Sequence, residues 1–155
     1  MKYDYDIQKL TTAFFEDYPS DIYPELMNKL GRPYNCLLLE THYDYYICIP
    51  FRSNIHHKQA FLFKDSRRSR QTRSGLDYSK MVIIKNADKY LTNQNVAVDN
   101  DEYNEAQRNI ERIVFEALDY LDSYIEYVKN GEAGNANTRI RFKYSTLRYF
   151  NDILL

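Results

Sequence analysis

Two apolar runs joined by a short polar stretch constrain the fold more than any other feature of the sequence. The runs are CLLLE at residues 36–40 and YYICI at residues 45–49, and the polar stretch THYD separates them. This pattern predicts a β-hairpin, although runs this short do not by themselves distinguish a strand from a buried helix. AFLF at 60–63 and MVIIK at 81–85 are further strand candidates. The near-continuous apolarity predicts central strands that are covered on both faces.

A long amphipathic helix is predicted over about residues 100–129. Its apolar residues recur at steps of three and four, the spacing of one helical face. They are Ile110, Val114, Ala117, Leu118, Leu121, Ile125 and Val128. Shorter helices are predicted within 6–18, 20–31 and 142–155, and a loop over 130–137. At 155 residues the chain predicts a single domain of the α+β class, with a compact antiparallel sheet surrounded by helices.

Charge is distributed unevenly along a chain whose net charge is only −1. Residues 51–80 hold eight lysines and arginines against two aspartates, whereas the rest of the chain holds thirteen basic and twenty acidic residues. A local excess of this size indicates a surface that attracts phosphate groups. Residues 64–79 are polar, basic and rich in turn-forming residues, so they predict a surface loop or a flexible excursion.

Cofactor, metal and membrane chemistry are not expected from this sequence. Cys36 and Cys48 each lie inside an apolar run, which is typical of buried free thiols, and zinc-site spacings are absent. The first residues lack the apolar core of a signal peptide, and no apolar run approaches the length that spans a membrane. The expectation is a cytoplasmic protein with no cofactor and no metal.

The residues after the second strand carry the parts of a site that cleaves RNA. Pro50 lacks an N–H group, so the strand is predicted to end there and the following side chains to project from its rim. Those side chains are Arg52, Ser53, Asn54, His56, His57 and Lys58. RNA breaks without a metal when its 2′-hydroxyl attacks the adjacent phosphate, which requires positioning, proton transfer and stabilisation of negative charge. Histidine can transfer protons, while arginine and lysine supply fixed positive charge.

Each of these features also has a purely structural interpretation. Adjacent histidines in a polar stretch are more often surface or capping residues than catalysts, and Ser53 is a common type of turn residue. The run RRSRQTR at 67–73 is typical of a solvated, mobile loop with nonspecific affinity for phosphate. The run GLDYSK is compatible with a simple turn in which Tyr78 packs on the core. It is the clustering of these features along the chain that favours a functional surface.

Four segments give the chain a resemblance to a known family. They are RPYNCLLLE (32–40), YYICIPFRSNIHHKQAF (45–61), SGLDYSKMVII (74–84) and YNEAQRNIERIVFEALDYLDSYI (103–125). Together they resemble the CptN/TenpN family of toxins from bacterial type III toxin–antitoxin systems, which are relatives of the ToxN and AbiQ endoribonucleases. The resemblance implies a metal-independent endoribonuclease that leaves 2′,3′-cyclic phosphate and 5′-hydroxyl ends. It also implies a barrel-like antiparallel sheet similar to that of MazF-type toxins.

The same resemblance implies the partners of the protein. A small, repeated and pseudoknotted RNA antitoxin would be processed by the toxin and would hold it inactive in a toxin–RNA assembly. Cellular or phage RNA would be the other substrates, in a system of phage defence by abortive infection. Neither DNA nor a membrane is an implied partner.

Residue matches to this family are uneven. ToxN-like proteins have a Thr-Ser pair followed by a lysine after the corresponding strand; here Ser53 matches the serine, Arg52 replaces the threonine, and the lysine is missing in place. In the resulting hypothesis Ser53 orients the scissile phosphate, and His57 or His56 donates a proton to the departing 5′-oxygen. An earlier active-site lysine of the family falls near Arg32. The cations expected to stabilise the phosphate charge are Arg32, Arg52 and Lys80.

Further residues are predicted to bind the RNA rather than to cleave it. They are Asn54, Lys58, Lys64, Arg67, Arg68, Arg70, Arg73, Tyr45, Tyr78 and Ser79. Two other classes of function stay open: a noncatalytic RNA-binding module with passive histidines, and a protein–protein adaptor that uses the acidic helix over 99–129 as its interface.

Overall fold

The computed structural model describes residues 5–26 and 34–155 and confirms the predicted α+β class. The strands within those residues are β1 Tyr5–Leu10, β2 Asn35–Glu40, β3 Tyr46–Arg52, β4 Ala60–Leu62, β5 Gly75–Asp77, β6 Val82–Ile84 and β7 Leu91–Thr92. The helices are α1 Thr12–Asp17, α2 Ala87–Tyr90, α3 Asn100–Arg108, α4 Ile110–Lys129, α5 Ala136–Phe142 and α6 Asn151–Leu154. The strands form one sheet in which every pairing is antiparallel.

β3 is the central strand of this sheet. One edge of β3 pairs with β2, from Tyr46 opposite Glu40 to Pro50 opposite Cys36, which confirms the predicted hairpin. The other edge pairs first with β6 and then with β5. The hydrogen-bonded order is β4-β5-β3-β2-β1-β7, with β6 beside β3. Because β4 and β7 do not pair with each other, the sheet formed by the described residues is open.

The prediction that the strand ends at Pro50 is wrong, because β3 continues to Arg52. Pro50 lies where β3 changes partner: the pairing with β6 ends at Cys48 and the pairing with β5 begins at Phe51. A missing N–H group between the two partners interrupts neither ladder. The continuation of the strand places Arg52 opposite Gly75 in β5.

The predicted helix over 6–18 is strand β1 followed by the short helix α1. Ile7 in β1 lies opposite Leu37 in β2, and the end of β1 pairs with β7. Thr11 separates the two elements, since its hydroxyl accepts a hydrogen bond from the backbone N–H of Phe14 and caps α1. Residues 5–10 have a local pattern that favours a helix, but they form a strand because they pair with the edge of β2.

The long helix predicted over about 100–129 is in fact two helices, because the chain breaks at Asn109 between α3 and α4. Asn109 has φ −114° and ψ 21°, and its side-chain amide donates to the backbone oxygen of Glu105 at 2.8 Å. Local side-chain bonds of this kind compete with the helical backbone. The non-helical φ and ψ of Asn109 therefore separate α3 from α4.

α4 supplies the largest helical part of the core. Ile113, Ala117, Tyr120 and Leu121 are fully buried and belong to the same apolar cluster as the inner residues of β2 and β3. None of the helices in the described residues combines the length and the apolarity that a membrane crossing requires. Cys36 and Cys48 are buried in this core as free thiols, as the sequence predicts.

The C-terminal part departs from the single helix predicted over 142–155. α5 begins inside the predicted loop, where the Asn135 side chain accepts a hydrogen bond from the backbone N–H of Thr138. A 3₁₀ turn over Thr146–Phe150 and the short helix α6 follow. The helix predicted over 20–31 is a 3₁₀ turn at Pro24–Leu26 as far as it is described; the rest of that prediction lies outside the described residues.

Candidate active site

Asp77 is the centre of a polar cluster at the end of β3. It ends β5, a strand that lies so close to β4 that a Cβ atom at Gly75 would clash with the backbone oxygen of Phe61, so glycine is required there. The Asp77 side chain is fully buried. Its Oδ1 atom accepts hydrogen bonds from the backbone N–H and the hydroxyl of Ser79, at 3.0 and 2.6 Å. These bonds cap the 3₁₀ turn Tyr78–Lys80.

Arg52 and His57 bind the other oxygen of the same carboxylate. The Oδ2 atom of Asp77 lies 2.5 Å from Nη1 of Arg52 and 3.2 Å from Nε2 of His57. The side chains of Arg52 and His57 are 24% and 39% exposed, so a ligand can reach both. We refer to Arg52, His57, Asp77 and Ser79 as the Asp77 cluster.

The carboxylate of Asp77 is held in its ionised form. Burial alone would raise its pKa, but hydrogen bonds from His57 and Ser79, together with the positive charge near it, outweigh burial and lower the pKa below its ordinary value. Asp77 is therefore negative at neutral pH, and the guanidinium of Arg52 balances that charge inside the fold.

Both ring nitrogens of His57 are occupied. The backbone N–H of Gln59 donates to Nδ1 at 3.0 Å, so Nδ1 is the unprotonated nitrogen and Nε2 carries the hydrogen that faces Asp77. The hydrogen bond from Gln59 thus occupies the lone pair of Nδ1. In this arrangement His57 orients Asp77 and is not placed to donate a proton to a substrate.

Lys80 lies beside the Asp77 cluster and is largely buried. Its Nζ atom donates to the backbone oxygen of Tyr144 at 2.9 Å, and its own backbone oxygen accepts a hydrogen bond from the hydroxyl of Tyr34 at 3.2 Å. Burial lowers the pKa of Lys80; the negative charge of Asp77 opposes this shift and the positive charge of Arg52 adds to it. Amines with a lowered pKa beside a charged cluster are frequent in functional sites.

The chain after Arg52 presents polar side chains at the surface. Asn54 has a positive φ of 57°, and this turn leads to His56 and Lys58, which are both exposed, while Ser53 is half-buried. Within residues 5–26 and 34–155 the side chains of Ser53 and His56 make no hydrogen bond. Both groups are therefore available to a ligand that binds at Arg52.

The basic loop, residues 64–74, is fixed to α3 rather than flexible. The Glu105 carboxylate accepts hydrogen bonds from the backbone N–H groups of Lys64 and Asp65, at 2.9 and 3.0 Å. The Asp101 carboxylate accepts one from the backbone N–H of Arg67 at 2.8 Å. The acidic residues of α3 thus hold the backbone of the loop. Of the two predicted forms the structure shows the surface loop, but only over 64–74, because residues 75–79 belong to β5 and the buried 3₁₀ turn after it.

Glu102 is the buried anchor of the same contact. Its carboxylate accepts hydrogen bonds from the hydroxyls of Ser66 and Ser74, each at 3.0 Å, and from Nη2 of Arg68 at 2.8 Å. The predicted RNA-binding cation Arg68 is therefore engaged within the protein. Arg73 is also engaged, because its Nε atom donates to the backbone oxygen of Ile55 at 2.7 Å. The loop cations left exposed without a side-chain bond in the described residues are Lys64, Arg67 and Arg70.

The two tyrosines predicted to bind RNA lie in the interior. Tyr45 is buried and stacks on Tyr43 with ring centroids 5.2 Å apart. It precedes β3, whereas Arg52 ends it, so about 23 Å of extended strand separates Tyr45 from the Asp77 cluster. Tyr78 is buried as well, and its hydroxyl donates to Glu116 at 2.9 Å.

The structure thus brings together part of the predicted site. Arg52, His57, Ser79 and Lys80 converge around Asp77, which the sequence analysis missed. The sequence feature that marks Asp77 is its position two residues before Ser79 in a turn-forming run. That arrangement is common for an aspartate that only caps its own turn, so it does not single out Asp77 as a functional residue. Arg32 lies outside the described residues.

A second missed contact joins α5 to the cluster. The Nε atom of Arg141 donates to the side-chain oxygen of Gln59 at 2.9 Å, and the backbone N–H of Gln59 bonds to His57. No periodicity in the sequence relates two residues 82 positions apart. Among the described residues, no three His, Cys, Asp or Glu side chains form a group that could hold a metal ion.

No family model, no curated protein and no solved structure matches this chain. What the site can do chemically therefore has to be inferred from its own geometry.

Proposed function

We propose that this protein is a metal-independent endoribonuclease and the toxin of a type III toxin–antitoxin system. The observation that carries the proposal is the Asp77 cluster, in which a buried carboxylate holds a partly exposed guanidinium and imidazole at the end of a strand. Attack by a 2′-hydroxyl on the adjacent phosphate needs fixed positive charge and groups that move protons. Arg52 of the cluster supplies the fixed charge, and the exposed His56, four positions after it in the chain, supplies a group that moves protons.

Arg52 is the principal phosphate ligand in this proposal. Asp77 engages one terminal nitrogen of the guanidinium and leaves its other N–H groups for two oxygens of the scissile phosphate. The free hydroxyl of Ser53, the next residue in the chain, donates to the same phosphate. The charge of Lys80 adds to the positive field, and the rigid pair of Arg52 with Asp77 limits reorganisation when negative charge develops.

His56 and His57 take different roles. His56 is exposed, so its imidazole is able to deliver a proton to the 5′-oxygen as the P–O5′ bond breaks. The attacking 2′-hydroxyl releases its proton to water as its oxygen bonds to phosphorus. His57 has its two nitrogens committed to Gln59 and Asp77 and therefore acts as a positioning residue, which keeps the carboxylate oriented toward Arg52. Histidine chemistry of this kind operates near neutral pH without a metal.

The biological context follows from the resemblance described above. We place the protein in the cytoplasm, where it processes a repeated, pseudoknotted RNA antitoxin and cleaves cellular or phage RNA when that antitoxin is lost. The exposed cations at 58–70 supply contacts to the RNA backbone. The antiparallel sheet is compatible with an open variant of the barrel-like sheet of MazF-type toxins.

Removal of the Arg52 guanidinium is expected to eliminate most of the cleavage. Arg52→Ala should lower the rate about 10²–10³-fold, because a preorganised donor to the developing phosphate charge is lost. The measurement is the cleavage of total RNA by purified protein in EDTA, with detection of 2′,3′-cyclic phosphate ends. Arg112→Ala removes an arginine of α4 whose side chain is 58% exposed, and this variant should cleave like the wild type.

Three results would contradict this proposal. Cleavage only with a divalent metal, or an unchanged rate in Arg52→Ala, would exclude the proposed chemistry. Wild-type protein that binds RNA without cleaving it would instead be a noncatalytic RNA-binding module. The adaptor alternative is disfavoured because Glu102 and Glu105 of the acidic helix are buried against the basic loop.

The two histidines are expected to differ in whether glutamine can replace them. His56→Ala and His56→Gln should both lose most of the cleavage rate, because glutamine cannot transfer a proton. His57→Ala should lower the rate, and His57→Gln, whose amide can donate to Asp77, should recover most of it. The measurement is kcat for the four variants. If His57→Gln is as inactive as His57→Ala while His56→Gln cleaves like the wild type, His57 is the proton donor.

A further inference from the structure

A cavity of about 410 Å³ opens between the C-terminal end of α4, helix α5 and the 3₁₀ turn that follows it. Its aromatic wall is formed by Tyr124, Tyr127 and Phe142. The ring centroid of Phe142 is 5.2 Å from that of Tyr127 and 5.6 Å from that of Tyr124. Phe142 and Tyr124 are buried, whereas Tyr127 is half-buried. Tyr127 is therefore the ring that a ligand can cover, with the other two packed behind it.

The rim of the cavity is positively charged. Arg139, Lys143 and Arg148 line it together with one carboxylate, that of Glu132. Arg148 is neutralised by Glu25, whose Oε1 atom is 2.6 Å from Nη2. Arg139 and Lys143 are exposed, and within the described parts of the chain neither forms an ion pair. The Nη1 atom of Arg139 donates to the backbone oxygen of Gly134 at 2.7 Å, which leaves its other N–H groups, together with the Lys143 ammonium, for an anion.

The cavity adjoins the Asp77 cluster through residues of α5 and the turn after it. Arg141, in the same helix as the cavity residue Arg139, bonds to the side chain of Gln59 next to His57. Lys80 bonds to the backbone of Tyr144, which follows the cavity residue Lys143. Helix α5 thus contacts the surroundings of the Asp77 cluster through Arg141 and lines the cavity through Arg139.

We propose that this cavity binds one unpaired nucleotide of the RNA, with its base against Tyr127 and its phosphate between Arg139 and Lys143. A flat apolar ring next to two cations matches a base and its phosphate, and single-stranded nucleic acids are bound by this combination. The cavity volume lies within the usual range of small-ligand pockets, about 300–1,000 Å³. The Glu132 carboxylate can accept hydrogen bonds from base amino groups or ribose hydroxyls. This inference rests on the proposed function, because it assigns a subsite to the same RNA.

Nucleotide binding to the full chain tests the subsite directly. The probes are AMP, CMP, GMP and UMP, titrated separately while the NMR signals of the Tyr127 and Phe142 rings are followed. At least one of the four should shift both rings. For that nucleotide, Tyr127→Leu should raise the Kd at least about fivefold, because stacking of the base is lost. Lys143→Ala should raise the same Kd about two- to fivefold, because an exposed charge is lost. Lys129→Ala, an exposed lysine at the end of α4, should leave the Kd unchanged.

Two results would overturn the subsite. The first is the absence of ring shifts with all four nucleotides. The second is an identical response to inorganic phosphate that Tyr127→Leu does not weaken, which would indicate an anion site without recognition of a base. The ring shifts are recorded with mononucleotides, which contain no linkage to cleave, so this measurement is separate from cleavage. Nucleotide binding by a protein that cleaves no RNA would reject the endoribonuclease and retain the subsite.

Discussion

Asp77→Ala is expected to lower the free energy of unfolding by about 3–5 kcal/mol, the usual effect of removing one partner from a buried ion pair. The substitution leaves the Arg52 guanidinium, the Ser79 hydroxyl and Nε2 of His57 without their common acceptor. The measurement is the unfolding free energy from urea titrations near neutral pH. Asp119→Ala removes an exposed partner of Arg141 and should change that free energy by less than about 1 kcal/mol.

The effect of Asp77→Ala should depend on pH in one direction. Because the pKa of Asp77 is lower in the folded protein than in the unfolded chain, its carboxylate stabilises the fold above the unfolded pKa, about 3.9. This contribution is lost as the pH falls through the folded pKa. The difference between the wild type and Asp77→Ala should therefore be constant near neutral pH and decrease below about pH 4. A difference that stays constant until both proteins unfold in acid would contradict an ionised Asp77.

Glu102→Ala is expected to release the basic loop from α3. The substitution leaves the buried hydroxyls of Ser66 and Ser74 without an acceptor and Arg68 without its counter-ion. The expected loss of stability is about 2–5 kcal/mol. Limited trypsin digestion measures how readily the loop opens, because trypsin cleaves after Arg67 and Arg70, which are exposed. Cleavage there should accelerate more than about tenfold, because the opening free energy of the loop decreases.

Two companion variants separate the charge of Glu102 from its shape. Glu102→Gln keeps one acceptor and should show an intermediate rate of digestion. Glu126→Ala removes an exposed carboxylate of α4 and should be digested like the wild type. If Glu102→Ala is also digested like the wild type, the loop is held by contacts other than the Glu102 carboxylate.

The sequence predicts the parts of the fold whose signals are long or repeated. The hairpin of β2 and β3 and the apolar face of α4 are examples, because each rests on several residues in phase. The local pattern of β1 predicts a helix. Its strand conformation depends instead on pairing with β2, which lies about 30 positions later in the chain. β4 and β6 are as short as β5, but they lie in the apolar runs AFLF and MVIIK. β5 has a single apolar residue, Leu76, and β7 has only two residues, so neither shows a recognisable pattern.

The sequence predicts which charged residues belong to the candidate site, but it does not predict which residue joins them. The clustered histidines and arginines point to Arg52 and His57, but the residue that joins them lies 25 positions after Arg52. A buried aspartate in a turn resembles an ordinary turn former until the tertiary structure places cations around it. The same limitation applies to Arg68, whose exposure cannot be judged without the position of Glu102.

The position of Pro50 has a consequence for the fidelity of folding. If β3 slipped by one residue against its neighbours, its side chains would exchange faces. Because β3 is buried on both faces, Ile47 and Ile49 would then have to fit the smaller space that Cys48 occupies. The same slip would move the proline from the junction of β6 and β5 into one of the ladders, where a donor is needed. Both effects destabilise the mispaired forms. Pro50, a residue type that usually ends a strand, therefore favours the native register of β3.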